Sequence, residues 1–326
     1  MSTLLEVKNL SVYHSLKKES LFKKAPRMRA VNSISFELKR GQVLGVVGES
    51  GCGKSTLARA LLGLNPQIEG EIIYEGQDLA KDFRVHKSPL LLRKEIQMIF
   101  QDPLASLNPR QNIGSILEEP LRIHFPNLSK KQKRDRILET IKKVGLLESQ
   151  INRYPHELSG GQAQRVGIAR ALIIQPKLII CDEPVSALDV SIQSQIVNLL
   201  KDIQKEENQS LIFIAHDLSI VKYMSDNVLV MYLGNAVEVA NTDSIYDAPA
   251  HPYTKALFDA VPIPDPMIQK NRAINLLEGD LPSPINPPKG CTFHTRCPKA
   301  KQSCQDNAPS LVNLTDSHKF ACFYPN

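Results

Sequence analysis

The octet Gly48-Glu49-Ser50-Gly51-Cys52-Gly53-Lys54-Ser55 has the spacing of a phosphate-binding loop, G-x-x-x-x-G-K-[ST]. Its glycines let successive backbone N–H groups turn inward around phosphate oxygens, and a helix starting behind them adds partial positive charge. In that setting Lys54 reaches the β- and γ-phosphates, Ser55 binds Mg²⁺ through its hydroxyl, and Thr56 follows in the first turn of the helix. ATP and Mg²⁺ are therefore the expected ligands. A chance match to the octet in a chain of this length is on the order of 1%.

Further downstream, the apolar run Leu178-Ile179-Ile180-Cys181 delivers Asp182 and Glu183. An Asp-Glu pair after an apolar run is on its own more often a helix cap than a catalytic pair. With a phosphate loop upstream, Asp182 suits the Mg²⁺ shell and Glu183 suits the base that polarises an attacking water. His216 follows a third apolar run, Leu211 to Ala215; it is either structural or a contact to the γ-phosphate. Gln101, after Ile99-Phe100, is a candidate sensor of Mg²⁺ and nucleotide. The segment Leu158-Ser159-Gly160-Gly161-Gln162 opens a helical run and forms a second anion-suited N-terminus. If it lies far from the phosphate loop of its own chain, two chains must face each other for both to reach one triphosphate.

The elements that must position these residues alternate. Val43 to Val47, Leu178 to Cys181 and Leu211 to Ala215 have the length and apolarity of buried strands, and Thr56 to Leu64 reads as a helix. This is α/β patterning with a mainly parallel sheet. Between the first strand and Leu178 lies an insertion of more than a hundred residues. Within it Ser129 caps a helix carrying Ile137, Leu138, Ile141 and Val144, with Gly145 at its end. A helical subdomain over about 100–175 is expected there.

Composition narrows the class. The 326 residues are 42% hydrophobic and 23% charged, ordinary for a globular chain and unlike a disordered or collagenous one. No apolar run nears the roughly 18 residues of a membrane span. The first residues lack an apolar signal core, so a cytosolic chain is expected. Of the net charge of +6, the stretch 17–29 alone carries five: six basic residues against Glu19. A nucleic-acid binder would repeat its basic residues along the chain, so nucleic acid is not expected. The cluster reads as a solvated loop, with anionic lipid headgroups or a partner as the sharper alternative.

Four of the six cysteines, Cys291, Cys297, Cys304 and Cys322, fall in the last 36 residues, after prolines that mark a linker near 245–265. In a cytosolic chain the choices are metal binding or four free thiols. Zinc sites favour a tight Cys-x2-4-Cys knuckle, which is absent. Four loosely spaced thiolates suit the larger body of a [4Fe–4S] cluster.

Taken in order, Gly48 to Ser55, Gln101, Leu158 to Gln162, Leu178 to Glu183, Ser186-Ala187-Leu188-Asp189 and His216 resemble the ATP-binding subunits of ABC transporters. His251-Pro252-Tyr253-Thr254, the Ala260 to Pro266 stretch and the four-cysteine tail are similar to the extension of the oligopeptide and dipeptide importer family. The resemblance implies a P-loop (RecA-like) core of ABC type over 1–250 and a C-terminal extension over 251–326. It implies a sandwich of two such subunits, each ATP lying between one chain's P-loop and the other chain's Ser159, Gly160, Gly161 and Gln162, with Asp189 nearby. An aromatic side chain stacks on adenine in the family; Tyr13 and His14 both stand near that position. Cys181 stands where similar proteins often have Ala. The implied partners are a homologous, non-identical second ATPase subunit, two transmembrane permease subunits and, indirectly, an extracytoplasmic solute-binding protein. The chain would be peripheral, on the cytoplasmic face of the cell membrane. Similar peptide-importer ATPases carry a [4Fe–4S] cluster in this extension; zinc or no metal are the alternatives. Peptide is the expected cargo, with a nickel or other small-solute importer, or a soluble ABC ATPase, as the other readings.

Overall fold

The computed structural model describes residues 2–15, 27–65, 67–85, 90–261 and 279–326. The basic residues 17–24 and the prolines at 262, 264 and 266 lie outside them. The chain forms two compact units. The first comprises 1–39, 43–87 and 216–326, and the second 40–42 and 88–215. The C-terminal residues belong to the same unit as the N-terminal strands, and His318–Phe320 adds as an antiparallel strand to Asn235–Asn241.

In the first unit Thr3–Ser15 pairs antiparallel with Arg27–Lys39 on one side and Ile68–Tyr74 on the other. A second sheet region sets Val43–Val47 parallel to Asn227–Tyr232, which continues through Asn235–Asn241 and His318–Phe320 to Val312–Thr315. Val43–Val47 is buried at every position, as its unbroken apolar run requires of a strand covered on both faces. Asn235–Asn241 interrupts its apolar face with Glu238, fully buried and satisfied. The Glu238 carboxylate accepts the N–H groups of Ala250 (2.7 Å) and His251 (2.8 Å), and His318 Nε2 lies 2.6 Å from it. That cluster ties the edge strand to the chain around residue 250.

In the second unit Ile96–Ile99, Leu178–Asp182 and Ser210–Ile214 form a parallel run. Helices Ile113–His124, Lys130–Lys143 and Gly160–Leu172 belong to the same unit. The helix after Ser129 forms as its sequence dictates. The Ser129 hydroxyl accepts the Gln132 N–H, the Gln132 side chain accepts the Ser129 N–H, and Ile137 and Ile141 are buried. Such a cap is worth about 1 kcal/mol, and each buried aliphatic side chain about 1.5–3 kcal/mol. Gly145 ends the helix region in the left-handed conformation, φ 71°. Among the described residues no helix is long and apolar enough to cross a membrane.

Candidate functional site

The phosphate loop lies between the buried strand Val43–Val47 and the helix Lys54–Leu61. Two of its glycines are pinned by close backbone approach. A Cβ at Gly48 (φ 147°) would sit 2.2 Å from the Met231 carbonyl, and one at Gly53 (φ 104°) 2.4 Å from that of Ala30. Gly51 (φ 80°) differs, since a Cβ there would meet nothing within 4 Å. The loop is thus anchored at its ends and open in the middle, a cradle that fits phosphate. Gly53 occupies the N-cap without a side-chain cap, so the helix N-terminus is not closed by one of its own residues. Lys54 arches back over the loop, its Nζ donating to the carbonyls of Gly48 (2.7 Å) and Glu49 (3.2 Å). Cys52 is buried, and burial raises its thiol pKa despite Lys54. Ser50 and Ser55 flank the open stretch.

Glu49 is held from elsewhere in the unit. Arg296 grips its carboxylate with both guanidinium nitrogens, Nη1 to Oε2 at 2.7 Å and Nη2 to Oε1 at 3.1 Å, and the Tyr253 hydroxyl accepts its N–H at 2.9 Å. Sequence reasoning missed both partners in this role. Arg296 stands between Cys291 and Cys297, where only the cysteines draw notice, and no spacing rule links it to position 49.

Tyr13 and His14 are adjacent on one strand, so their side chains take opposite faces. The His14 ring reaches the helix behind the loop, Nε2 lying 3.3 Å from Thr56 Oγ1. Tyr13 donates its hydroxyl to Glu69 (2.8 Å), and the Arg29 guanidinium covers its ring. The structure thus separates two residues that the sequence leaves equivalent. His216, in the same unit, is exposed just before Asp217, whose carboxylate caps Leu218–Met224.

In the second unit the strand pairing brings two predicted residues together. Ile99 stands opposite Cys181 in parallel register, and two residues further on Gln101 Nε2 donates to Glu183 Oε2 at 3.1 Å. Glu183 adopts φ 49°, and its N–H donates to the Ile214 carbonyl. The positive φ turns the chain sharply after the strand, so the carboxylate leaves the strand's alternation. Asp182, the last residue of the strand, is buried, as is Cys181, which burial makes hard to ionise.

Ser159 caps Gly160–Leu172 in a reciprocal box with Gln162, leaving Ser159 and Gly160 at the surface. Gly161 is required by packing: a Cβ there would lie 2.6 Å from Ile192 Cγ2. Asp189 is exposed at the N-cap of Val190–Glu207, with no side-chain cap bond.

Cys291, Cys297, Cys304 and Cys322 line one pocket together with His251 and Phe293. None is in a disulfide. Burial pushes the thiols of Cys291 and Cys297 up, and that of Cys322 up to about 11, with neighbouring thiols adding to each shift. Four sulfurs gathered on one pocket suit a shared cationic group in kind. Among the described residues, however, no three His, Cys, Asp or Glu side chains form a set that could hold a metal ion.

Residues 31–186 match the family described as ABC transporter, and residues 237–304 match the oligopeptide/dipeptide transporter C-terminal region. The chain is 59% identical to the oligopeptide transport ATP-binding protein OppF of Haemophilus influenzae, over 98% of its own length and 96% of that protein's. It is 49% identical to the dipeptide transport ATP-binding protein DppF of the same species, again over 98% and 96%. Among solved structures, a dimeric ATP-binding cassette in a post-hydrolysis state, bound to ADP and Pi, matches with a TM-score of 0.64 at 26% identity. That match covers 73% of this chain and 99% of the other.

Proposed function

This chain belongs to the ABC transporter ATPases, among the oligopeptide and dipeptide ATP-binding subunits, and from that premise we propose that it hydrolyses ATP to drive peptide import. The observation that carries the reading is an intact phosphate loop, open at Gly51, in a chain 59% identical to an oligopeptide transport ATP-binding protein.

Lys54 exchanges its backbone carbonyl partners for the β- and γ-phosphates when ATP enters the loop. Backbone N–H groups of the loop and of the first helical turn, with Ser50 beside them, would receive the phosphate oxygens. Ser55, Asp182 and Gln101 would hold Mg²⁺, which neutralises charge building on the bridging and γ-oxygens. Glu183 takes the proton of the attacking water, oriented by its bond from Gln101. His216 steadies the γ-phosphate. His14, which contacts Thr56, is the ring that stacks on adenine. Ser159, Gly160, Gly161 and Gln162, with Asp189, serve the ATP held by a partner subunit. The exposure of Ser159 and Gly160 supports this, as does the dimeric state of the similar cassette. Residues 1–250 are the ATPase domain and 251–326 the importer-specific extension.

The partners in this reading are a homologous second ATPase subunit and two transmembrane permease subunits, with a solute-binding protein acting on the far side. The chain sits peripherally on the cytoplasmic face of the membrane. The convergence of four thiols on one pocket supports a [4Fe–4S] cluster in the tail, of structural rather than redox use. The experiment for the whole reading is peptide uptake by proteoliposomes carrying the assembled transporter. Uptake should require ATP and stop with Lys54→Ala in this subunit; ATP-driven uptake of a non-peptide solute alone would refute the cargo.

A further inference from the structure

Glu49 is the one acidic residue of the phosphate loop, and it is gripped at three points. Lys54 donates to its carbonyl, the Tyr253 hydroxyl accepts its N–H, and Arg296 forks onto its carboxylate. The Arg296 side chain is only 8% exposed. It is delivered by the turn that joins two of the tail cysteines. In that turn the N–H of His294 donates to Cys291, that of Arg296 to Phe293, and that of Cys297 to His294. Phe293 anchors the turn: its ring is buried against Tyr232 at 5.2 Å and Tyr253 at 5.3 Å, and those two rings lie 4.7 Å from each other. One rigid aromatic cluster therefore connects the four-cysteine tail to the phosphate loop.

A carboxylate in a loop that must hold a polyanion repels its ligand unless a cation offsets it. The bidentate, largely desolvated fork of Arg296 does so in a fixed geometry. We propose that Arg296 is a positioning residue for the nucleotide site, neutralising and orienting Glu49 so that ATP affinity depends on the folded four-cysteine tail. This rests on the assignment of the loop to ATP. Because coupling between sites is reciprocal, ATP in the loop must also stabilise the turn around Arg296.

The test uses the purified full chain and Mg-ATP, with affinity measured by calorimetry for wild type, Arg296→Gln, the double variant Glu49→Gln/Arg296→Gln, and Lys54→Ala. Arg296→Gln should bind about tenfold more weakly, a typical coupling. The double variant should recover to within about twofold of wild type, because no carboxylate remains to repel the triphosphate. Both variants lose the fork, so the difference between them reports charge and not unfolding of the tail. Hydrogen exchange over residues 291–297 should slow with ATP in wild type and not in Arg296→Gln. Wild-type affinity in Arg296→Gln, a double variant no better than the single one, or no slowing by ATP in wild type would each overturn the proposal. Unchanged affinity in Lys54→Ala would instead overturn the ATP assignment beneath it.

Discussion

Gln101 donates to Glu183 across the ends of two neighbouring parallel strands, at 3.1 Å. The pairing register sets this contact: each residue lies two positions beyond the aligned pair Ile99 and Cys181. An amide donor helps to orient the carboxylate, so a change at Gln101 acts through the geometry of Glu183.

Glu183→Gln should retain ATP binding and lower turnover by about 10²–10⁴-fold, the usual worth of a general base. Gln101→Ala should cost less, since the base survives without its guide. Single-turnover ATP hydrolysis in the assembled transporter measures both. Wild-type turnover in Glu183→Gln would remove this residue from the chemistry.

His14→Ala should weaken ATP binding by about fivefold or more, the lower end of what one base–aromatic stack contributes, while Tyr13→Ala leaves it near wild type. Equilibrium binding of ATP and of triphosphate alone separates loss of the base contact from damage to the loop. Equal losses in the two variants would contradict the assignment to His14.

Gly161→Ala forces a methyl group against Ile192, at a cost of about 1–3 kcal/mol for overpacking. ATPase activity of the assembled transporter should fall, and Ile192→Ala should restore part of it by vacating the space. In mixed assemblies the loss should appear at the site whose phosphate loop belongs to the partner subunit. A defect confined to this chain's own loop would argue against action in trans.

Cys52 and Cys181 are fully buried, and burial disfavours both thiolates. Iodoacetamide at neutral pH should therefore leave both unmodified in the folded chain and label them on denaturation, read by peptide mass spectrometry. Rapid labelling of Cys52 in folded protein would show that the phosphate loop opens far more readily than its packing implies.

Anaerobically purified protein should be brown, with broad absorbance near about 400 nm and close to four irons per chain. Chelation should loosen the tail, seen as faster exchange around Cys291 to Cys304. Colourless anaerobic protein with stoichiometric zinc, or an ordered tail without metal, would rule out the cluster.

What was legible in the sequence was local. The glycines of the octet, the apolar strands that end at Asp182 and near His216, and the Ser129 cap each depend on neighbours a few residues away, and local pattern exposes them. The different surroundings of Tyr13 and His14 follow from the strand's faces, which a stretch of mixed polarity does not declare. The fork on Glu49 was invisible, because nothing near position 49 or 296 encodes a contact made by folding the two ends of the chain together. The three-residue strand His318–Phe320 is likewise too short to announce itself, yet it joins the tail to the sheet of the first unit.

The sequence distance between Glu49 and Arg296, 247 residues, has a meaning on the ribosome. At about 5–20 residues per second, Arg296 leaves the synthetic machinery roughly 12–50 s after Glu49. His318, the partner of the buried Glu238, comes later still. A nascent chain thus carries its phosphate loop through most of its synthesis with an uncompensated carboxylate, and later, for a shorter stretch, an open sheet edge at Asn235–Asn241. A chain broken off before residue 296 keeps every nucleotide motif and lacks the counter-ion, so translation itself orders the ripening of the site from the last residues backward.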